Sequence, residues 1–173
     1  MQAKKNKIMS NVNIIVYQVE KPLNLGNIMR TCAAFGYHLH IIGPLTYDLE
    51  SPEIKRSSLD YINNLNMTYH KTWTSFKKLN PKAQIYIITR YGNKTPDQVD
   101  FTKNSIFLMF GKESTGIPKV IMNQHPTRWI RVPIKPFARA LNLSNTVAML
   151  SYEIARQNKY SDLATFDNLK NWK

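Results

Sequence analysis

The sequence predicts an α/β fold, a mostly parallel sheet flanked by helices, and three observations carry that prediction. Q-I-Y-I-I-T at 84–89 and S-I-F-L-M-F-G at 105–111 are almost continuously apolar, as parallel strands buried on both faces require. Such runs alternate with stretches whose apolar residues recur at helical spacing. The 173 residues, 43% hydrophobic and 20% charged, suit one domain with a full core and are too few for two comfortable ones.

Taken in order, N-I-I-V-Y-Q-V at 13–19 reads as the first strand, 24–36 as a helix and H-L-H-I-I-G-P at 38–44 as the second strand. Ser51-Pro52-Glu53 signals the next helix, because proline is tolerated at a first helical position. After the two apolar strands, R-W-I-R-V-P at 128–133 reads as a weaker strand closed by Pro133. The last long element, 143–157, places Leu143, Val147, Leu150 and Ile154 on one core-facing stripe. A basic extension, 1–12, precedes the domain of 13–160, and the tail 161–173 has room for one short helix. Lys4, Lys5 and Lys7 ahead of the apolar 13–17 imitate a signal peptide, but Gln18, Glu20 and Lys21 end the run without a small-residue cleavage site. No apolar run is long enough to cross a bilayer, so no membrane partner is expected.

The single cysteine, Cys32, excludes an internal disulfide framework and a cysteine-based zinc site within one chain. A reducing cytoplasm is the expected setting, and core filling the expected role of that thiol. His38, His40, His70 and His125 show no metal-ligand spacing; His38 and His40 alternate along a strand and could both face solvent. Charge is more informative: 24 Lys+Arg against 11 Asp+Glu give a net +13, which points to a polyanionic partner. No acidic residue falls between Glu113 and Glu153, whereas Lys119, Arg128, Arg131, Lys135 and Arg139 do, interleaved with Trp129, Ile130, Val132 and Phe137. That mix suits folded RNA better than a membrane-binding tail, which would be a denser, apolar-poor block.

The glycines Gly26, Gly36, Gly43, Gly92, Gly111 and Gly116 form no G-x-G, so dinucleotide folds and the common methyltransferase fold lose their signature. G-K-E-S-T-G at 111–116 has P-loop glycine spacing, but Ile117-Pro118 stands where Lys-Ser/Thr is required. It reads as a strand-end turn open to close backbone approach, with Pro118 at the first position of the next helix. L-N-L-G-N at 23–27 and L-N-L-S-N at 141–145 repeat one phrase where helices start. Asn24 or Asn142 would cap, while Gly26 and Ser144 keep bulk away from whatever approaches the helix end. Arg30 lies off the Ile28–Cys32–Phe35 face and close to the positive helix end, where a partner anion would compensate its charge.

Three blocks together, N-L-G-N-I-M-R (24–30), F-G-K-E-S-T-G-I-P (110–118) and R-V-P-I-K-P-F-A-R-A-L-N-L-S-N (131–145), resemble the motifs of the SPOUT RNA 2′-O-methyltransferases in order and spacing. V-Y-Q-V-E-K-P at 16–22, the H-I-I-G-P strand end and S-Y-E-I-A-R-Q at 151–157 bring the chain closest to the subgroup that methylates the wobble cytidine or uridine of tRNA(Leu). The resemblance implies a cytoplasmic homodimer that transfers a methyl group from S-adenosylmethionine to a tRNA ribose 2′-OH, releases S-adenosylhomocysteine and needs no metal. It also implies a C-terminal deep trefoil knot, which periodicity does not show and which runs against the general rule for chains. By the same resemblance, cofactor contacts come from Ile88, Gly111, Glu113, Val132, Ala140, Leu141 and Leu143, mostly through backbone, with Glu113 holding the loop. The implied catalytic set is Arg30, Asn24, Asn142 and Ser144, and the RNA-facing set is Arg30, Arg128, Arg131, Lys135 and Arg139. Because guanidinium stays protonated, Arg30 reads as a charged clamp and not as a base. The two L-N-L-x-N helices would pack together across the dimer, with Tyr152 either on the dimer face or packed in the core. Two positions depart from the family: Ala140, where many members have Ser, and Phe137, where the subgroup usually has an acidic residue. The other readings are a SPOUT 2′-O-methyltransferase for another tRNA or rRNA ribose, and an RNA-binding protein that keeps the fold without turnover.

Overall fold

The computed structural model describes residues 11–102 and 105–166. They form β1 (Val12–Tyr17), α1 (Pro22–Phe35), β2 (His38–Ile42), α2 (Pro52–Ser58), a 3-10 turn (Leu59–Asn64), β3 (Asn66–His70) and α3 (Trp73–Leu79). Then follow β4 (Ile85–Ile88), a 3-10 turn (Pro96–Gln98), β5 (Ile106–Phe110), α4 (Lys119–Met122), β6 (Trp129–Ile130) and α5 (Leu143–Gln157). The strands lie in the order β3-β2-β1-β5-β4-β6, and every pairing among them is parallel.

The strands are apolar almost throughout because both sheet faces are covered. Ile14 and Val16 of β1, with Leu108 and Phe110 of β5, meet Leu25, Ile28 and Cys32 of α1 and Val147, Leu150 and Ile154 of α5. Ile15, Phe107 and Met109 point the other way, onto Phe76 of α3 and Ile121 and Met122 of α4. Each such side chain, fully buried, contributes roughly 1.5–3 kcal/mol. Cys32 is fully buried, as core filler.

Several elements differ from the sequence reading. Helix α1 begins at Pro22, so Asn24 sits inside its first turn, and the cap position, Lys21, makes no side-chain hydrogen bond. Asn142 does cap α5, its Oδ1 accepting from the Asn145 amide at 3.2 Å. Pro118 is the cap residue of α4 instead of its first residue. β3 and α3 went unread: β3 is an edge strand, half-exposed, and its polar N-M-T-Y-H carries little strand signal. α3 is opened by a capping box in which the Ser75 amide donates to Thr72 Oγ1 at 3.1 Å. His38 and His40 do not face solvent. His40 is buried against Phe76, and half-buried His38 stacks on it at 4.2 Å between ring centroids. Residues 158–166 form turns and irregular chain; residues 167–173, most of the tail expected to have room for a short helix, and residues 1–10, with Lys4, Lys5 and Lys7, lie outside the described residues.

Candidate functional site

Beyond the carboxyl ends of β4, β5 and β6, the loops 89–94, 111–118 and 131–142 enclose a cleft of about 770 Å³. Its volume falls in the range of small-molecule sites, and its position is where parallel α/β sheets hold ligands. Ile88, Gly111, Glu113, Val132, Ala140, Leu141 and Leu143 all line it. Asn24, Asn142, Arg131 and Arg139 line it too. A second, more open groove of about 540 Å³ at the amino ends of β4 and β5, lined by Leu79, Lys82, Gln84 and Phe107, gathers none of the predicted site residues.

The glycine turn is closed on itself. The Lys112 amide donates to the Gly116 carbonyl at 3.2 Å and the Gly116 amide to the Lys112 carbonyl at 3.0 Å. Gly116 takes φ 73°, and a Cβ on Gly111 would collide with the Gly116 backbone. The close backbone approach that the glycines permit is therefore made by the turn's own chain.

Glu113 supplies what Lys21 cannot. Its carboxylate accepts from the Glu20 amide at 2.9 Å, the Lys21 amide at 3.3 Å and Asn24 Nδ2 at 2.8 Å, satisfying orphan donors at the start of α1. Ser114 answers in the other direction, donating its amide and hydroxyl to the Glu20 carboxylate at 2.9 and 2.7 Å. Those two bonds hold the Glu20 carboxyl below the usual carboxylate range. Glu113 thus borders the cleft while its carboxylate is committed to α1.

From Asn24 the network continues to α5. Asn142 Nδ2 donates to Asn24 Oδ1 at 3.0 Å, and Ser144 Oγ donates to Asn142 Oδ1 at 2.7 Å. Ser144 is buried and does not line the cleft; it orients Asn142. The two repeated phrases meet within one chain, where α1 and α5 pack side by side.

The cations divide. Arg131 Nη1 donates to the Arg90 carbonyl at 2.7 Å, tying two cleft loops together. Lys135 is exposed on the third loop, beside Arg139. Arg128 turns away, donating to Gln84 Oε1 at 2.8 Å and lying over the Tyr86 ring at 5.1 Å. Arg30 does not line this cleft either. With α1 starting at Pro22 it stands more than two turns into the helix, beyond the reach of the helix-end charge, and its guanidinium lies 5.2 Å from the Tyr61 ring centroid. Sequence reading missed Arg90, Tyr91 and Tyr61; nothing local in the sequence signals them. Among the described residues no group of three His, Cys, Asp or Glu could hold a metal ion, and no helix is long and apolar enough to cross a membrane.

The pattern of the SpoU rRNA Methylase family matches residues 11–152. A Methylovorus glucosotrophus (strain SIP3-4) protein named tRNA (cytidine(34)-2′-O)-methyltransferase is 37% identical over 150 residues, 86% of this chain and 97% of its own. A solved structure from work on the 2-OH methylation of C/U34 on tRNA superposes with TM-score 0.80 at 31% identity, covering 86% of this chain and 97% of that one. The SpoU methyltransferase AviRb of Streptomyces viridochromogenes, solved in complex with the cofactor AdoMet, shares the fold with TM-score 0.74 at 21% identity, over 86% of this chain and 61% of that one.

Proposed function

The chain belongs to the SpoU rRNA methylase family, and on that premise we propose that it methylates the ribose 2′-OH of nucleotide 34, a cytidine or uridine, of tRNA, with S-adenosylmethionine as donor. The observation that carries the reading is the convergence of the second and third motif blocks, with Asn24 of the first, on one cleft, in a chain that matches the Methylovorus enzyme across 86% of its length. The leucine tRNAs are the expected substrates within that class.

The cleft suits the cofactor by size and by donor set. Apolar Ile88, Val132, Leu141 and Leu143 stand beside loop backbone whose amides and carbonyls can bind an adenosine without a metal or a charged partner. Bound there, S-adenosylmethionine supplies a methyl group activated by its sulfonium. The protein must align the 2′-OH, exclude water and let the hydroxyl lose its proton. Arg139 at the cleft and Arg30 on α1 remain cationic, so they hold phosphate and stabilise negative charge developing on the ribose oxygen. Asn142, oriented by Ser144 and Asn24, fixes the wall from which Leu141 and Leu143 project.

A homodimer belongs to the same reading: Leu23 of α1 and Met149 and Tyr152 of α5 stand 59%, 48% and 54% exposed, large apolar side chains that a second copy would cover. So does the C-terminal knot, which the likeness of 131–145 to the third family motif implies. A cytoplasmic setting fits a free, buried thiol.

The test is transfer of labelled methyl from S-adenosylmethionine to tRNA lacking wobble 2′-O-methylation, with the label mapped after digestion. Label on the ribose of nucleotide 34 is expected. Label on another ribose would keep the reaction and change the site, and no label from folded protein would end the reading.

A further inference from the structure

Two aromatic rings stand in water on the cleft loops: Phe137 is 86% and Tyr91 61% exposed. Tyr91 lines the cleft on the 89–94 loop. Phe137 occupies the tip of a tight turn in the 131–142 loop, closed by the Ala138 amide donating to the Lys135 carbonyl at 3.0 Å. Pro136 presets the second turn position, and Phe137 takes the third, a place that suits small polar residues. A ring there gains nothing from the chain's own core.

One exposed ring needs no explanation. These two, however, are each set among cations. The Arg90 guanidinium lies 4.8 Å from the Tyr91 centroid, and the Arg90 carbonyl binds Arg131. Lys135 and Arg139 flank Phe137, and no acidic residue between Glu113 and Glu153 offsets them. A lipid surface or an apolar peptide would call for a continuous apolar patch, and each of these rings has cations next to it in its own loop. Cations for phosphates together with the open ring of Phe137 and the Tyr91 face that Arg90 does not cover are the chemistry that holds unpaired nucleic-acid bases.

We propose that Phe137, with Tyr91 on the neighbouring loop, stacks on unpaired bases next to the target nucleotide. This rests on the reading of the cleft as the site of RNA methylation and adds how the substrate is selected. A base already stacked inside a duplex offers no free face to Phe137, so the two rings select a single-stranded loop.

The experiment is equilibrium binding of the full chain to an anticodon-arm hairpin, and to hairpins in which each loop nucleotide around position 34 is replaced in turn by an abasic one. Phe137→Ala is expected to weaken binding of the intact hairpin roughly tenfold to hundredfold, while Phe137→Trp retains it. One abasic replacement should weaken the wild-type complex by a similar factor and leave the Phe137→Ala complex no weaker than before. The proposal is overturned if Phe137→Ala binds the intact hairpin as the wild type does, or if its loss multiplies with every abasic loss. It is equally overturned if sedimentation shows that Phe137→Ala loses RNA only because its subunits separate. Methyl transfer by the same wild-type preparation separates the two readings. Transfer to nucleotide 34 without the coupling defeats the stacking alone; a folded wild type that neither binds the hairpin nor transfers methyl defeats both.

Discussion

The side-chain amide of Asn142 donates to Oδ1 of Asn24 across 3.0 Å, and Asn24 passes its own amide to Glu113 at 2.8 Å. One buried asparagine thereby connects the glycine turn, the start of α1 and the cap of α5. Asn24→Ala is expected to cost about 1–3 kcal/mol, because it removes both bonds at a position only 5% exposed. Asn24→Asp should be worse at pH 7, since it sets a second carboxylate against Glu113 and leaves that pair to share one place. Urea unfolding of the three proteins checks the order; an aspartate variant as stable as wild type would contradict it.

The same network shows what was legible in the sequence. β1, β2, β4 and β5 announce themselves as apolar runs because both faces are covered, whereas β3, an edge strand with Asn66, Thr68 and Tyr69, does not. α5 was readable to the residue because its cap, Asn142, lies beside it in sequence. The start of α1 was not, because Glu113, far along the chain, does the capping. Ile88, Gly111, Glu113, Val132, Ala140, Leu141 and Leu143, which the motif resemblance implies as one set, line one cleft. Arg128 points away from the cleft because its direction depends on how β6 sits against β4, and Arg90 and Tyr91 were missed because only the sheet order brings their loop to the glycine turn.

The Arg30 guanidinium lies over the Tyr61 ring at 5.2 Å, and under the proposed function that contact makes Tyr61 a positioning residue for Arg30. Such a contact on an exposed surface is worth about 0.5–1 kcal/mol, enough to bias the arginine's rotamer and too little to decide folding. Tyr61→Leu should lower methyl transfer about twofold to fivefold with little change in melting temperature. Tyr61→Phe, which keeps the ring face, should restore the rate, and Arg30→Ala should lose far more than either. Initial rates on tRNA check the series; equal rates for the Leu and Phe variants would remove Tyr61 from the mechanism.

Gly111→Ala tests whether the closed turn is what shapes the cleft. The new methyl would overlap the Gly116 carbonyl carbon and the Ile117 amide, which are backbone and cannot rotate aside. The turn must open, at a cost of about 1–3 kcal/mol by analogy with overpacked sites. Calorimetric titration should show S-adenosylmethionine affinity falling at least tenfold, because Gly111 and Gly116 border the cleft. A variant that keeps full cofactor affinity would mean that the turn is scaffold alone.

The histidines under the sheet make the fold acid-sensitive. His40 Nε2 meets Asn13 Oδ1 at 3.2 Å and its Nδ1 meets His70 Nε2 at 3.0 Å, with His38 stacked alongside and bonded to Thr68 at 2.8 Å. Burial, then the neighbouring imidazoles His38 and His70, pushes the His40 pKa down to about 3, and burial lowers His38 and His70 as well. In the unfolded chain these rings titrate near 6.5. Below that pH the unfolded state binds more protons than the folded state, so stability is full above about pH 7 and declines as pH falls toward the folded value. From pH 7 to pH 4.5, His40 alone accounts for roughly 2–3 kcal/mol of the loss. Carboxylates with lowered pKa, Glu20 and Glu153, lose their contribution only near and below their ordinary range, so the interval from pH 6.5 to 5 isolates the histidines. His40→Gln should reduce the slope of the urea-unfolding free energy across that interval whatever its absolute stability, leaving the share of His38, His70 and His125, and an unchanged slope would place the acid sensitivity elsewhere.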